Sequence, residues 1–252
     1  MKIALAQTRS VKGNIPQNII RHRKVIEQAL VHKAGLIIFP ELSITGYEPG
    51  LARELATTGE DPRFDVFREL SNDTGIVIGF GSPTLLDQGV CISLLLFQPF
   101  KTTLAYSKKY LHADEEPFFI SGGNFPVLDI GNYRVGFAIC YELSVPQHAE
   151  QALLHHAACY IASSAKTEKG MDSAYQRLPE IARKNNIPVL IANSIGPSDN
   201  FMSAGRSAAW NSKGELLENA GDKEECILVF DSLANTVHKK SIDHPVNPKT
   251  GI

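Results

Sequence analysis

Short apolar runs alternate along this chain with amphipathic stretches, and that alternation restricts the fold more than any other feature. LIIF (36–39) contains no polar residue, as expected of a strand buried on both faces. KIALAQ (2–7), IVIGFGS (76–82), CYIASSA (159–165), PVLIANS (188–194) and CILVFD (226–231) read as further strands. Helical patterns lie between them. Asn14 is placed to cap a helix with Pro16 in its first turn, and Ile19, Ile20, Val25, Ile26 and Leu30 repeat at helical spacing. Helices are also expected across 51–72, over 145–157 behind Ser144 and Pro146, and near 171–184. Two hairpins interrupt the alternation. CISLLLFQ (91–98) and TTLAYS (102–107) flank a Pro-containing turn, and PVLDI and YRVGFAIC flank Gly131-Asn132. SAAWNSKGELL turns at Lys213-Gly214. Alternating helices and strands with hairpins mixed in predict an α/β protein with a mixed sheet. The tail after Asp231 carries Pro245 and Pro248 and few apolar residues. It is expected to form an irregular C-terminal arm (232–252) or part of an interface.

Composition allows one large core. The chain has 252 residues, 43% hydrophobic and 21% charged, which excludes global disorder. No repeat, low-complexity segment or linker divides it, so residues 1–252 are expected to form a single domain. Lys and Arg total 25 against 27 Asp and Glu, a net charge of −2. That balance gives no reason to expect a nucleic-acid partner or an anionic membrane. No apolar run approaches the ~18–20 residues of a membrane span. The opening MKIALAQTRSVKGN has too short an apolar stretch for a signal peptide. Cys91, Cys140, Cys159 and Cys226 lie far apart with no CxxC pair. A disulfide scaffold or zinc ribbon is therefore not expected, and a reducing cytoplasm is the simplest location.

Three reactive side chains end apolar strands, where ligands meet an open α/β sheet. Glu41 follows LIIFP, Lys108 follows LAYS, and Cys140 closes YRVGFAI. Brought together, they would form a coherent device. A thiolate is a nucleophile, a carboxylate can take the thiol proton, and an ammonium can stabilise the oxyanion formed on a carbonyl. The backbone N–H of Tyr141 would supply a second oxyanion donor, and a helix begun near Ser144 would point its positive end at the same loop. Each residue also has a plainer reading. Cys140 could be a small core residue, Glu41 a cap or solvated carboxylate, and the Lys108-Lys109 doublet a charged edge. His112, Asp114, Glu115 and Glu116 make an H-x-D-E-E cluster that could bind a metal, but no partner motif such as HExxH accompanies it, and a polar loop is the preferred reading. Gly79, Gly81, Gly122, Gly123 and Gly196 read as turn or close-packing glycines. Without GxGxxG or GxxxxGK[ST], no nucleotide cofactor is expected.

The wording of the motifs goes further. FPELSITGYEP (39–49), YSKKYLHADEEPFF (106–119) and GFAICYELSVPQ (136–147) resemble, in order and spacing, the three signature segments of the carbon–nitrogen hydrolase, or nitrilase, family. KIALAQ, ANSIG (192–196) and SAGRSAAWNSKGELL (203–217) are similar to that family as well, so the resemblance spans about residues 1–232. It implies a four-layer α-β-β-α sandwich with mixed sheets and a Glu-Lys-Cys triad. Glu41 matches the general base, Lys108 the lysine and Cys140 the nucleophile. Tyr110 stands where His is common in the second motif, a departure from the pattern. Glu116 matches a second glutamate that lines the pocket in many members.

The function this implies is cofactor-free hydrolysis of a non-peptide C–N bond in a small amide, through a thioester on Cys140. Carbamoyl-amide hydrolysis and nitrile hydrolysis are the alternatives within the class. Tyr141 after the nucleophile, where true nitrilases commonly have Trp, favours amides. A non-catalytic metabolite-binding protein on the same fold and a metallohydrolase using the 112–116 cluster are the alternatives outside it. The resemblance further suggests a homodimer through the helix after Cys140 and the C-terminal arm.

Overall fold

The computed structural model describes residues 1–123 and 127–242. The first half runs β1 (Lys2–Gln7), α1 (Ile15–Val31), β2 (Leu36–Ile38), α2 (Ala52–Leu55), α3 (Asp65–Thr74), β3 (Val77–Leu86), β4 (Gly89–Phe97) and β5 (Leu104–Ser107). The second half continues with β6 (Val127–Ile130), β7 (Tyr133–Ile139), α4 (Pro146–Leu154), β8 (Cys159–Ser164), α5 (Glu168–Asn185) and β9 (Val189–Asn193). It closes with β10 (Ile195–Ser198), β11 (Phe201–Ala204), β12 (Ala208–Trp210), β13 (Leu216–Asn219), β14 (Cys226–Asp231) and β15 (Thr236–Ser241).

The strands form two large sheets, ordered β15-β14-β1-β2-β3-β4-β5 and β13-β12-β9-β8-β7-β6, plus the small pair β10-β11. Both large sheets are mixed. β1, β2 and β3 run parallel, as do β7, β8 and β9, with antiparallel strands outside them. The two-residue period of each strand sorts its side chains between layers. On β1, Ile3 and Leu5 point between the sheets while Ala4 and Ala6 face α1 and α3. On β7, Val135, Phe137 and Ile139 point between the sheets while Ala138 faces α4 and α5. The result is the expected α-β-β-α sandwich, with one apolar core between the sheets and one under each helical layer.

Two sequence expectations need correction. The single helix over 51–72 is broken into α2 and α3. Ala56 turns extended, Thr57 makes a parallel bridge to Thr84, and Asp61 caps a new turn that starts at Pro62. The segment after Asp231 is not irregular throughout. It reverses and adds β15 antiparallel to β14, from Thr236 opposite Asp231 to Ser241 opposite Cys226. The remainder of the expected arm, 243–252, lies outside the described residues.

Candidate active site

The carboxyl ends of the central strands of both sheets converge on one spot. Past β2 the chain turns through Pro40 to Glu41, and Ser163 Oγ of β8 donates across the sandwich to the Phe39 carbonyl at 2.8 Å. The Glu41 turn packs so closely on β3 that a Cβ at Gly81 would lie 2.0 Å from the Leu42 nitrogen. Only glycine fits there, and Leu42 itself takes a left-handed φ of 51°. From outside, α1 braces the turn. Asn18 donates to the carbonyls of Val11 and Ile44, and the His22 ring sits 2.9 Å from Ser43 Oγ.

Lys108 follows β5. Its strand end is pressed against Gly122, where a Cβ would meet the Ser107 carbonyl oxygen at 2.2 Å. Lys108 is fully buried, and its ammonium donates to Glu41 Oε1 at 2.7 Å and to Glu115 Oε1 at 2.6 Å. Lys109 points the other way and is exposed, as neighbouring side chains do on an extended segment. Burial alone would lower the Lys108 pKa, but the carboxylates of Glu41 and Glu115 outweigh it and hold the ammonium above the ordinary lysine range.

Cys140 begins the short 3-10 turn Cys140–Ser144 at the end of β7, with φ at 45°. A left-handed conformation in a residue with a side chain is strained, and such strain concentrates at functional sites. Cys140 is the one partly exposed cysteine; Cys91, Cys159 and Cys226 are buried. Burial of its thiol and the nearby Glu41 carboxylate push the Cys140 pKa up to about 11, against the pull of Lys166 and Lys108. The Glu41 pKa is raised as well, first by burial and then by Glu115, with Lys108 and Cys140 opposing. The Cys140 thiol is therefore neutral near pH 7. Glu41 Oε1 is engaged by Lys108, while Oε2 is buried with no hydrogen-bond partner among the described residues. Tyr141 is partly buried edge-on to His112, and its N–H belongs to the first turn of the 3-10 helix, where amides lack intrahelical acceptors.

Glu116 does not occupy the expected position. It is exposed and borders a separate cleft with Arg53, Leu85 and Phe118. Glu115 takes its place. Glu115 is buried, receives the Tyr47 hydroxyl at 2.9 Å on Oε1 and the His112 N–H at 2.8 Å on Oε2, besides contacting Lys108. The tight turn over 113–118 sends adjacent side chains in different directions, so a spacing that selects between two consecutive glutamates can miss by one. The same turn disperses the 112–116 cluster. Glu115 faces Lys108, Asp114 pairs with His112, and Glu116 faces outward. No group of three or more His, Cys, Asp and Glu side chains gathers as a metal site among the described residues.

Sequence reasoning also missed Glu142. It is fully buried beneath Cys140, and its two oxygens hold the strand ends at Lys108 and Cys140 together. Oε1 accepts the Lys109 N–H at 2.7 Å, and Oε2 accepts the Ile139 N–H at 2.8 Å. The Tyr106 hydroxyl donates to it at 2.6 Å and also contacts His148, whose other ring nitrogen lies 2.6 Å from the Tyr160 hydroxyl. Burial, with Lys109 nearby, lowers the His148 pKa to about 4, so its ring is neutral near pH 7. The available signal was a glutamate inside the apolar CYEL run, where a charge needs several partners to be buried.

The profile of the carbon-nitrogen hydrolase family matches residues 2–237. The chain belongs to this family. This carbon–nitrogen hydrolase is 27% identical over 250 residues to a nitrilase of Pyrococcus abyssi, covering 96% of this chain and 94% of that one. It is 26% identical to an (R)-stereoselective amidase of Pseudomonas sp., covering 89% and 82%. Its fold superposes with a TM-score of 0.84 on a mutant of the amidase from Nesterenkonia sp. AN1 in complex with butyramide, at 24% identity and 93% and 92% coverage.

Proposed function

We propose that this hydrolase is a small-molecule amidase working through a thioester on Cys140, with Glu41 as base and Lys108 as oxyanion donor. The observation that carries the reading is the buried Lys108 ammonium, held between Glu41 and Glu115 at 2.7 and 2.6 Å beside a strained cysteine. Glu41 takes the thiol proton as Sγ attacks the amide carbon. Lys108 Nζ and the Tyr141 N–H stabilise the oxyanion. As the C–N bond breaks, Glu41 returns the proton to the departing nitrogen. Water then gives a proton to Glu41 and attacks the thioester, releasing a carboxylic acid and restoring the thiol. Such covalent catalysis divides one difficult hydrolysis into two easier steps. The raised pKa of Cys140 makes the base essential, because little thiolate exists near pH 7 without proton transfer.

The lysine doublet tests this reading. Removing an oxyanion donor typically lowers turnover about 10²–10³-fold. Lys108→Ala should lose activity on this scale, whereas Lys109→Ala should lose little, and intact mass spectrometry during turnover should find an acyl adduct on Cys140. An active Lys108→Ala enzyme without an adduct refutes the mechanism. Ammonia release from amides, ureido acids and nitriles, measured side by side, separates amidase from carbamoyl-amide hydrolase and nitrilase. The partner is a small amide. The family resemblance supports a homodimer through α4, the helix after Cys140, and the C-terminal arm, which sedimentation can test. Four free cysteines suit a cytoplasmic location, and no helix among the described residues is long and apolar enough to cross a membrane.

A further inference from the structure

A second lysine stands at the nucleophile, unused by the mechanism above. β7 and β8 are parallel neighbours with Ile139 opposite Ser163, so Cys140 and Ser164 leave the sheet side by side. The next carbonyl, that of Ala165, lies 3.9 Å from Cys140 Sγ. Lys166 follows directly. Its N–H donates to Asn193 Oδ1 at 2.8 Å, and its carbonyl accepts from the Ala204 N–H at 2.9 Å and Asn193 Nδ2 at 3.2 Å. Asn193 is fully buried and also donates to the Gly205 carbonyl at 2.8 Å, so the backbone of Lys166 is firmly anchored at the rim above Cys140.

The Lys166 side chain is partly buried, yet its ammonium has no ion pair or hydrogen bond with any described residue. Lys108 differs, being saturated by Glu41 and Glu115. The Lys166 charge nevertheless reaches the thiol, where it opposes the rise in the Cys140 pKa more strongly than Lys108 does. A partly desolvated, unpaired cation at a reaction centre favours an anionic ligand. One ammonium with one charge suits a carboxylate, whereas recognition of a phosphate generally uses several cations or a cradle of backbone amides.

We propose that Lys166 makes this enzyme selective for small amides that carry a carboxylate, binding that carboxylate beside Cys140. This rests on the amidase reading. The carboxylate could belong to the acyl part or to the amine part, and the substrates can tell these apart. Glutaramate against pentanamide tests the acyl side. N-acetylglycine against N-propylacetamide tests the amine side. The quantity to follow is kcat/KM for the charged member divided by that for its neutral partner. Because Lys166 also acts on the thiol, its removal can slow both members, and the ratio cancels that effect.

In wild-type enzyme the ratio should favour the carboxylate in one pair. Lys166→Met should reduce it about 10- to 100-fold, the scale of a lost charged hydrogen bond. Lys166→Arg should retain most of it, and Lys166→Glu should push it below the Met variant. Thermal melts and iodoacetamide labelling of Cys140 establish that each variant is folded with an intact site. A wild-type ratio near one in both pairs overturns the proposal. So does a ratio unmoved by Lys166→Met while both members slow equally, since Lys166 would then serve only to offset the site's carboxylates. A wild-type enzyme that cleaves none of the four amides refutes the amidase reading itself, which is a distinguishable result.

Discussion

Exchanging glutamate for glutamine at two consecutive positions should give opposite outcomes. In Glu115→Gln the buried side chain loses its charge and one acceptor. Glu115 now receives Lys108 Nζ and the Tyr47 hydroxyl on one oxygen and the His112 N–H on the other. A glutamine can satisfy only one side. If its oxygen faces Lys108, its amide N–H₂ meets the His112 N–H; if it is flipped, the amide meets the ammonium. Either way a buried donor is orphaned, at a cost of about 1–3 kcal/mol. For a domain of this length that lowers Tm by roughly 2–10 °C. The functional loss should be larger. Lys108 would retain only Glu41 as an anionic partner, and a displacement of ~1 Å in a catalytic group can lower turnover about 10²-fold. Glu116 is exposed, and Glu116→Gln should stay within ~0.5 kcal/mol of wild type with turnover unchanged. Differential scanning fluorimetry and ammonia release on one amide measure both quantities. A crippled Glu116→Gln beside a healthy Glu115→Gln would refute the placement of the second carboxylate.

Other perturbations follow from the same geometry. Limiting iodoacetamide should alkylate Cys140 before Cys91, Cys159 or Cys226, because only Cys140 is partly exposed; peptide mapping that finds another cysteine modified first, with activity intact, removes Cys140 as nucleophile. Its alkylation rate should climb with pH and reach half its maximum at the thiol pKa of about 11. In Glu41→Gln that profile should shift to lower pH, since the Glu41 carboxylate helps hold the thiol protonated, while amide turnover falls by at least ~10²-fold for want of a base. An unshifted alkylation profile in Glu41→Gln would show that the two groups are not electrostatically linked. Glu142→Gln should set an amide donor against either the Lys109 or the Ile139 N–H, loosening one strand end; a melt lowered by several degrees together with reduced kcat is expected, and unchanged values for both would show that the contact is dispensable.

The sequence by itself determined the layered α/β architecture and the identity of the three convergent residues. Apolar periodicity is a local property, so the strands at 2–7, 159–165 and 226–231 and the helix capped by Asn14 could be read within a few residues. Glu41, Lys108 and Cys140 were legible because each ends an apolar strand and sits in a motif with family wording. Two-residue alternation lets only one of Lys108 and Lys109 face the site, and the resemblance to the family motif, through its spacing to Leu111, selected Lys108. What the tertiary structure decided lay where no period governs direction. In the turn at 113–118 two adjacent glutamates have equal claims until Tyr47, His112 and Lys108 select Glu115. The break between α2 and α3 depends on Thr57 finding Thr84, a contact between segments that local propensity does not see. Tail residues 236–241 look weakly apolar, yet they pair because β14 offers an edge with unfilled hydrogen bonds. Glu142 is marked locally only by its place in the apolar CYEL run, and Lys166 by nothing: one is a buried side chain satisfied by amides from two separate strand ends, the other a cation without an ion pair among the described residues, and each acquires its meaning only when the two sheets bring distant residues within hydrogen-bonding or electrostatic reach.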